Sequence, residues 1–142
     1  MQNIFLKNKK NKGFAMVEVI LAFAIVASSI LISMAVMQKA LQASYSSLSN
    51  IQANFLLEEG AEKARITRDN SWNNIVSLNT TEQIGIFTRT SVASSVNRNS
   101  STGIIGSGSD DAGTKLVTIT VSWQENNVSR SKNLKLYLMD IF

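Results

Sequence analysis

The chain has 142 residues and a formal net charge of +4, and it contains no cysteine, histidine or proline. Lack of cysteine excludes a disulfide framework and thiolate metal sites. Lack of histidine removes the usual general base, the usual zinc ligand and every Ser–His or Cys–His nucleophile, so neither an enzyme nor a cofactor is expected.

The charge is concentrated at the start of the chain. Lys7, Lys9, Lys10 and Lys12 form a basic leader, and without them the remaining ten basic and ten acidic side chains cancel. The basic balance therefore implies no cationic surface for nucleic acid. After the leader, Phe14 to Met37 runs 24 residues with Glu18 as its one ionisable side chain. As a helix that run is about 36 Å long, enough to cross a hydrocarbon core of roughly 30 Å. Lys39 is the only basic residue between Lys12 and Lys63. The lysine asymmetry thus predicts a cytoplasmic N-terminus and an exported remainder.

Three readings of this segment compete. A secretory signal peptide would end at a small-residue site such as Ser33-Met34-Ala35, but its apolar region is normally about 7–15 residues. An uncut anchor accounts for the span and leaves Glu18 without a purpose, since insertion scales assign roughly 2.5–3.5 kcal/mol to a charge at a membrane centre. The third reading rests on Lys12-Gly13-Phe14-Ala15-Met16-Val17-Glu18, which resembles the processing site of type IV prepilins and the related pseudopilins. The resemblance implies that a prepilin peptidase cuts between Gly13 and Phe14 and that the new N-terminal phenylalanine is methylated. Glu18 is then the fifth residue of the mature chain. It implies also that Glu18 guides assembly by pairing with the amine of an adjacent subunit. Such a partner answers a physical need, because an unpaired carboxylate in low dielectric carries a large desolvation cost. A helix N-terminus alone offers an anion only about 0.3–1 kcal/mol.

Beyond the span, Leu41, Tyr45, Leu48, Ile51 and Phe55 recur at intervals of four, three, three and four. They predict the apolar stripe of an amphipathic helix, expected to pack on the core. Glu59–Lys63 and Arg65–Asp69 are opposite charges at i,i+4, and Glu58–Glu62 are like charges at that spacing. With no proline, helix can continue from Phe14 to about Arg68. Gly60 is expected to weaken it by about 1 kcal/mol relative to alanine. Asp69 to Asn74 reads as the helix exit, with Trp72 capping the core.

The period then changes. Ile84 and Ile86 alternate with Gly85 and Phe87, predicting a short strand. Val117, Ile119, Val121 and Trp123 alternate with Thr118, Thr120 and Ser122 as a half-buried strand. Gln124 to Asn127 reads as a turn, and Leu134, Leu136 and Leu138 as the second arm of a hairpin. Asn97 to Thr114, rich in Gly, Ser, Asn and Asp, is expected to be an exposed loop. Asp110 and Asp111 there suit calcium by ligand type, but two adjacent carboxylates make a poor cage. Asn79, Asn99 and Asn127 open Asn-x-Ser/Thr triplets, which carry no information in so polar a sequence.

The expected fold class is α+β and pilin-like: one long N-terminal helix, half membrane and half amphipathic, packed on a small antiparallel sheet. Four regions follow: leader 1–13, membrane half 14–37, amphipathic half 38–68 and a sheet region 69–142. Glu18-Val19-Ile20-Leu21-Ala22 and the segment from Phe55 to Arg65 are most similar to minor pilins of the PilV type and minor pseudopilins. The chain departs from major pilins in lacking their helix proline and their cysteine pair. The resemblance implies a minor pilin, inserted in the inner membrane and then carried to a cell-surface pilus. Its implied partners are other pilin subunits, prepilin peptidase, an inner-membrane assembly platform and, before assembly, membrane lipid. The alternatives are a pseudopilin of a type II secretion or DNA-uptake machine, or an uncleaved or secreted binding module.

Overall fold

The computed structural model describes residues 12–141. Lys7, Lys9 and Lys10, and so most of the leader, lie outside the described residues. The elements in chain order are α1 (Lys12–Asn70), α2 (Trp72–Val76), β1 (Asn79–Ile84), β2 (Phe87–Arg98), β3 (Ser109–Glu125) and β4 (Val128–Met139). The chain divides between Tyr45 and Ser46 into two compact units. The first holds the apolar part of α1. The second holds the rest of α1 and the sheet, and it has a core of its own.

The fold is α+β, as expected: a long N-terminal helix precedes a four-stranded antiparallel sheet of order β1-β2-β3-β4. Each strand pairs with the next in sequence, so the sheet is a simple meander. Its inward face is built from alternate residues: Val117, Ile119, Val121 and Trp123 of β3 are all buried. Leu134, Leu136 and Leu138 of β4 pack with them. The Phe87 ring meets the Trp123 ring at a centroid distance of 5.7 Å. Trp72 is half-buried against this cluster, as the sequence suggests. The β3–β4 turn is Asn126-Asn127, both with positive φ (50° and 62°). Asparagine tolerates that conformation better than most residues and so suits a two-residue hairpin turn.

Three expectations need correction. Ile84 to Phe87 is the β1–β2 turn, not a strand; Ile84 and Phe87 are paired across it. The exposed loop is shorter than Asn97–Thr114, because Asn97 pairs with Asp110 and Arg98 with Ser109. The backbone there has the sheet's hydrogen bonds available, and those outweigh the turn-forming composition.

The third correction concerns the helix face. Leu41, Tyr45, Leu48, Ile51 and Phe55 are all exposed, Phe55 by 65%. Within the second unit the sheet is met instead by Ala53, Leu57, Gly60, Ala61 and Ala64, every one buried. At about 100° per residue these lie roughly half a turn from Leu48, Ile51 and Phe55. The sheet selects the small-residue face because close approach needs it. A Cβ built on Gly60 would stand 2.9 Å from Ile119 Cγ2. Gly60 is thus the contact point of helix and sheet, and not merely a weak place in the helix.

Candidate functional site

Two parts of the described chain concentrate ionisable side chains in notable settings: the start of α1 and the charged seam between α1 and the β1–β2 hairpin.

Gly13 and Phe14 lie in the first turn of α1. The Phe14 side chain is 80% exposed. Glu18 is exposed one helical turn further on, about 6 Å along the axis. The segment from Phe14 to Met37 has four polar side chains. Ser28 and Ser29 hydroxyls both donate to the Ile25 carbonyl, at 2.9 and 2.8 Å. The Ser33 hydroxyl donates to the Ser29 carbonyl at 2.8 Å. Helical hydrogen bonding therefore satisfies the serines within the segment. Glu18 has no hydrogen bond or ion pair among the described residues. The next described basic side chain along the helix is Lys39, about 32 Å away. The geometry leaves one carboxylate in an otherwise satisfied apolar surface. Phe14 and Glu18 are both exposed on one short helical segment.

The second part was not legible in the sequence. Arg89 points inward from β2 and is only 2% exposed. Its guanidinium donates to the Leu56 carbonyl at 3.0 Å and to the Glu59 carboxylate at 3.3 Å. A shorter bond of 2.5 Å runs to Glu82 on β1. Lys63 bridges the same two carboxylates, at 3.1 Å from Glu59 and 3.3 Å from Glu82. The arginine thus ties the helix to two strands. Its hydrogen bonds hold the Glu59 and Glu82 carboxyls below the usual range, with Lys63 adding to the effect. Burial of Arg89 opposes its charge, but the two carboxylates outweigh that and raise its pKa. Gly60 contributes space, since its missing Cβ would lie 3.2 Å from Arg89 Cδ. Of the expected i,i+4 pairs, Glu59–Lys63 forms, while Arg65 turns to Glu62 and Asp69 to Arg68.

Asp110 and Asp111 belong to β3 rather than to a loop. Asp111 accepts from Arg98 at 2.6 Å. Arg98, then Thr114 and the Gly113 amide, lower its pKa despite some desolvation. Its charge is therefore answered by arginine. Among the described residues no three His, Cys, Asp or Glu side chains are placed to hold a metal ion.

The class defined by these features is a chain with an N-terminal helix long and apolar enough to cross a membrane, followed by a small antiparallel sheet in a pilin-like arrangement. Comparison with protein-family models, curated proteins and solved structures gives no match to this chain.

Proposed function

We propose that this chain is a structural subunit of a type IV pilus, of the minor-pilin kind and most similar to the PilV type. It enters the inner membrane through Phe14–Met37 with its N-terminus in the cytoplasm. Prepilin peptidase cuts after Gly13, Phe14 becomes the methylated N-terminus, and the subunit is drawn into the filament through the assembly platform. The role is structural rather than catalytic.

The observation that carries the proposal is the placement of Glu18. It is the one ionisable side chain in an exposed apolar helical segment whose serines are all satisfied, and it lies one turn beyond Phe14. A new amine at Phe14, in this chain or a neighbour, supplies the cation that a carboxylate in low dielectric requires.

The test is mass spectrometry of the N-terminal peptide from membranes and sheared filaments of the native host. A chain beginning at methylated Phe14 in the filament fraction is the expected result. A chain beginning at Met1 would make the protein an uncut anchor, and one beginning at Val36 a secreted domain.

A further inference from the structure

The membrane half of α1 concentrates side-chain to main-chain bonds that neither its apolar pattern nor the processing motif uses. Within α1 the Ile25 carbonyl is the helical acceptor for the Ser29 amide. The Ser28 and Ser29 hydroxyls donate to the same oxygen, at 2.9 and 2.8 Å. Three donors thus converge on one carbonyl, which has two lone pairs. One turn on, the Ser29 carbonyl is the helical acceptor for the Ser33 amide. It also accepts from the Ser33 hydroxyl at 2.8 Å. Ile25 and Ser29 are one turn apart, so the two shared carbonyls lie on one side of the helix.

Hydroxyls bonded back in this way weaken the helical bond with which they compete, and they bend helices. Away from water they have no other partner and stay on these carbonyls. When the Ser29 amide leaves Ile25, that carbonyl is still satisfied. The amide can then turn to the Val26 carbonyl, as in a 3₁₀ turn. Opening the helix here strands no polar group in hydrocarbon, which is the penalty that keeps the rest of the span closed. Apart from Glu18, the other side chains from Phe14 to Met37 are apolar and offer no such substitute. Glu18 lies about 10 Å before Ile25 along the axis.

We infer that residues 25–33 are a hinge in the membrane half of α1, made by Ser28, Ser29 and Ser33. The chain has no proline, so these hydroxyls are what let the span bend. The segment that carries Phe14 and Glu18 changes direction relative to residues 34–45 while its main chain stays hydrogen-bonded. The use of that motion rests on the filament reading. A subunit leaving the bilayer must bring Glu18 to the amine of a neighbour whose position the membrane did not fix. A hinge between Glu18 and the rest of α1 supplies that freedom.

Nuclear magnetic resonance of the full-length chain in detergent micelles reads the hinge directly. Residual dipolar couplings should give two helix axes, for residues 14–24 and 34–45, that differ by about 20° or more. In Ser28→Ala/Ser29→Ala/Ser33→Ala the two axes should align. Amide protection against exchange at positions 29 and 33 should then rise about two- to tenfold. Ser28→Thr/Ser29→Thr/Ser33→Thr keeps the hydroxyls and should keep the bend. One straight axis in the unaltered chain overturns the hinge, as does a threonine variant as straight as the alanine one. An equal rise in protection at positions 46 and 47 of Ser46→Ala/Ser47→Ala also overturns it, since alanine alone would then account for the effect. In the native host, alanine-variant filaments recovered as well as the unaltered ones would remove the hinge from assembly. The N-terminus, read by mass spectrometry, separates the two readings. Filament chains that begin at Phe14 but have a straight helix overturn the hinge and leave the filament reading standing. Chains that begin at Met1 with a bent helix support the hinge and overturn the filament reading.

Discussion

Gly60 of α1 and Ile119 of β3 approach so closely that a single added methyl group has no room. A Cβ on Gly60 would lie 2.9 Å from Ile119 Cγ2 and 3.2 Å from Arg89 Cδ. Ile119 is itself fully buried, so the strand side chain has little freedom to withdraw. The helix is seated on the sheet at this point, and the charged seam around Arg89 lies beside it.

Gly60→Ala should therefore destabilise the protein, although alanine is the better helix former by about 1 kcal/mol. Overpacking of a tight core costs about 1–3 kcal/mol, and against the gain of about 1 kcal/mol in helix propensity we expect a net loss of up to about 2 kcal/mol. The measurement is the unfolding midpoint of the full chain in detergent, beside that of Ser47→Ala on the exposed face. An alanine at position 60 that raised the midpoint would show that helix and sheet are not in contact as described.

Arg89→Ala removes the buried β2 side chain that bonds to helix and to β1 together. Loss of charge-assisted hydrogen bonds and of buried volume predicts a cost of about 2–4 kcal/mol. Glu59 and Glu82 are about half exposed, so water takes up their charge and the loss stays below that of a fully buried pair. Glu59→Gln and Glu82→Gln should each cost less, about 1 kcal/mol or below. Equal losses in all three variants would contradict the central place of the arginine.

The same seam sets an acid sensitivity. Arg89, then Lys63, depress the Glu59 carboxyl below its ordinary 4.5, and Arg89 likewise depresses Glu82 against an opposing desolvation effect. A carboxyl whose pKa is lower in the folded state binds fewer protons there than in the unfolded chain. Its contribution is complete above about pH 4.5 and disappears as pH falls through the folded value. Unfolding midpoints should hence be level near neutrality and fall below that point. Glu59→Gln/Glu82→Gln should flatten the acid slope, which a pH series on both proteins would reveal.

Glu18→Ala separates assembly from folding. Its site lies in the first unit, outside the core that holds the sheet. We expect the unfolding midpoint to stay unchanged while recovery in sheared filaments falls by at least about tenfold, the equivalent of roughly 1.4 kcal/mol per contact. Glu18→Gln should fail as well, because it keeps the shape and loses the charge. Filament yields equal to those of the unaltered chain would remove the assembly role of Glu18.

Legibility along the chain follows the chemistry of the buried face. β3 and β4 are readable because Val117, Ile119, Val121 and Leu134, Leu136, Leu138 alternate with polar residues. β1 and most of β2 are not, since inward positions are taken by Glu82, Arg89 and Ser91, which give no apolar period. The stripe from Leu41 to Phe55 is a true helical period, yet its face stands open. Periodicity identifies an apolar face without naming what covers it. The mixed apolar and small-residue character of α1 gave the sheet two faces to choose between.

The sequence by itself determined the apolar span, the single carboxylate within it, the helical continuity past it and the hairpin of β3 and β4. Each of these is a local property, read from length, charge, period or the absence of proline. Only the tertiary structure decided that Ala53, Leu57, Gly60, Ala61 and Ala64 meet the sheet and that Arg89 joins Glu59 to Glu82. Those relations join residues as distant in the chain as Gly60 and Ile119, and they depend on how closely two surfaces approach. No local pattern records that distance.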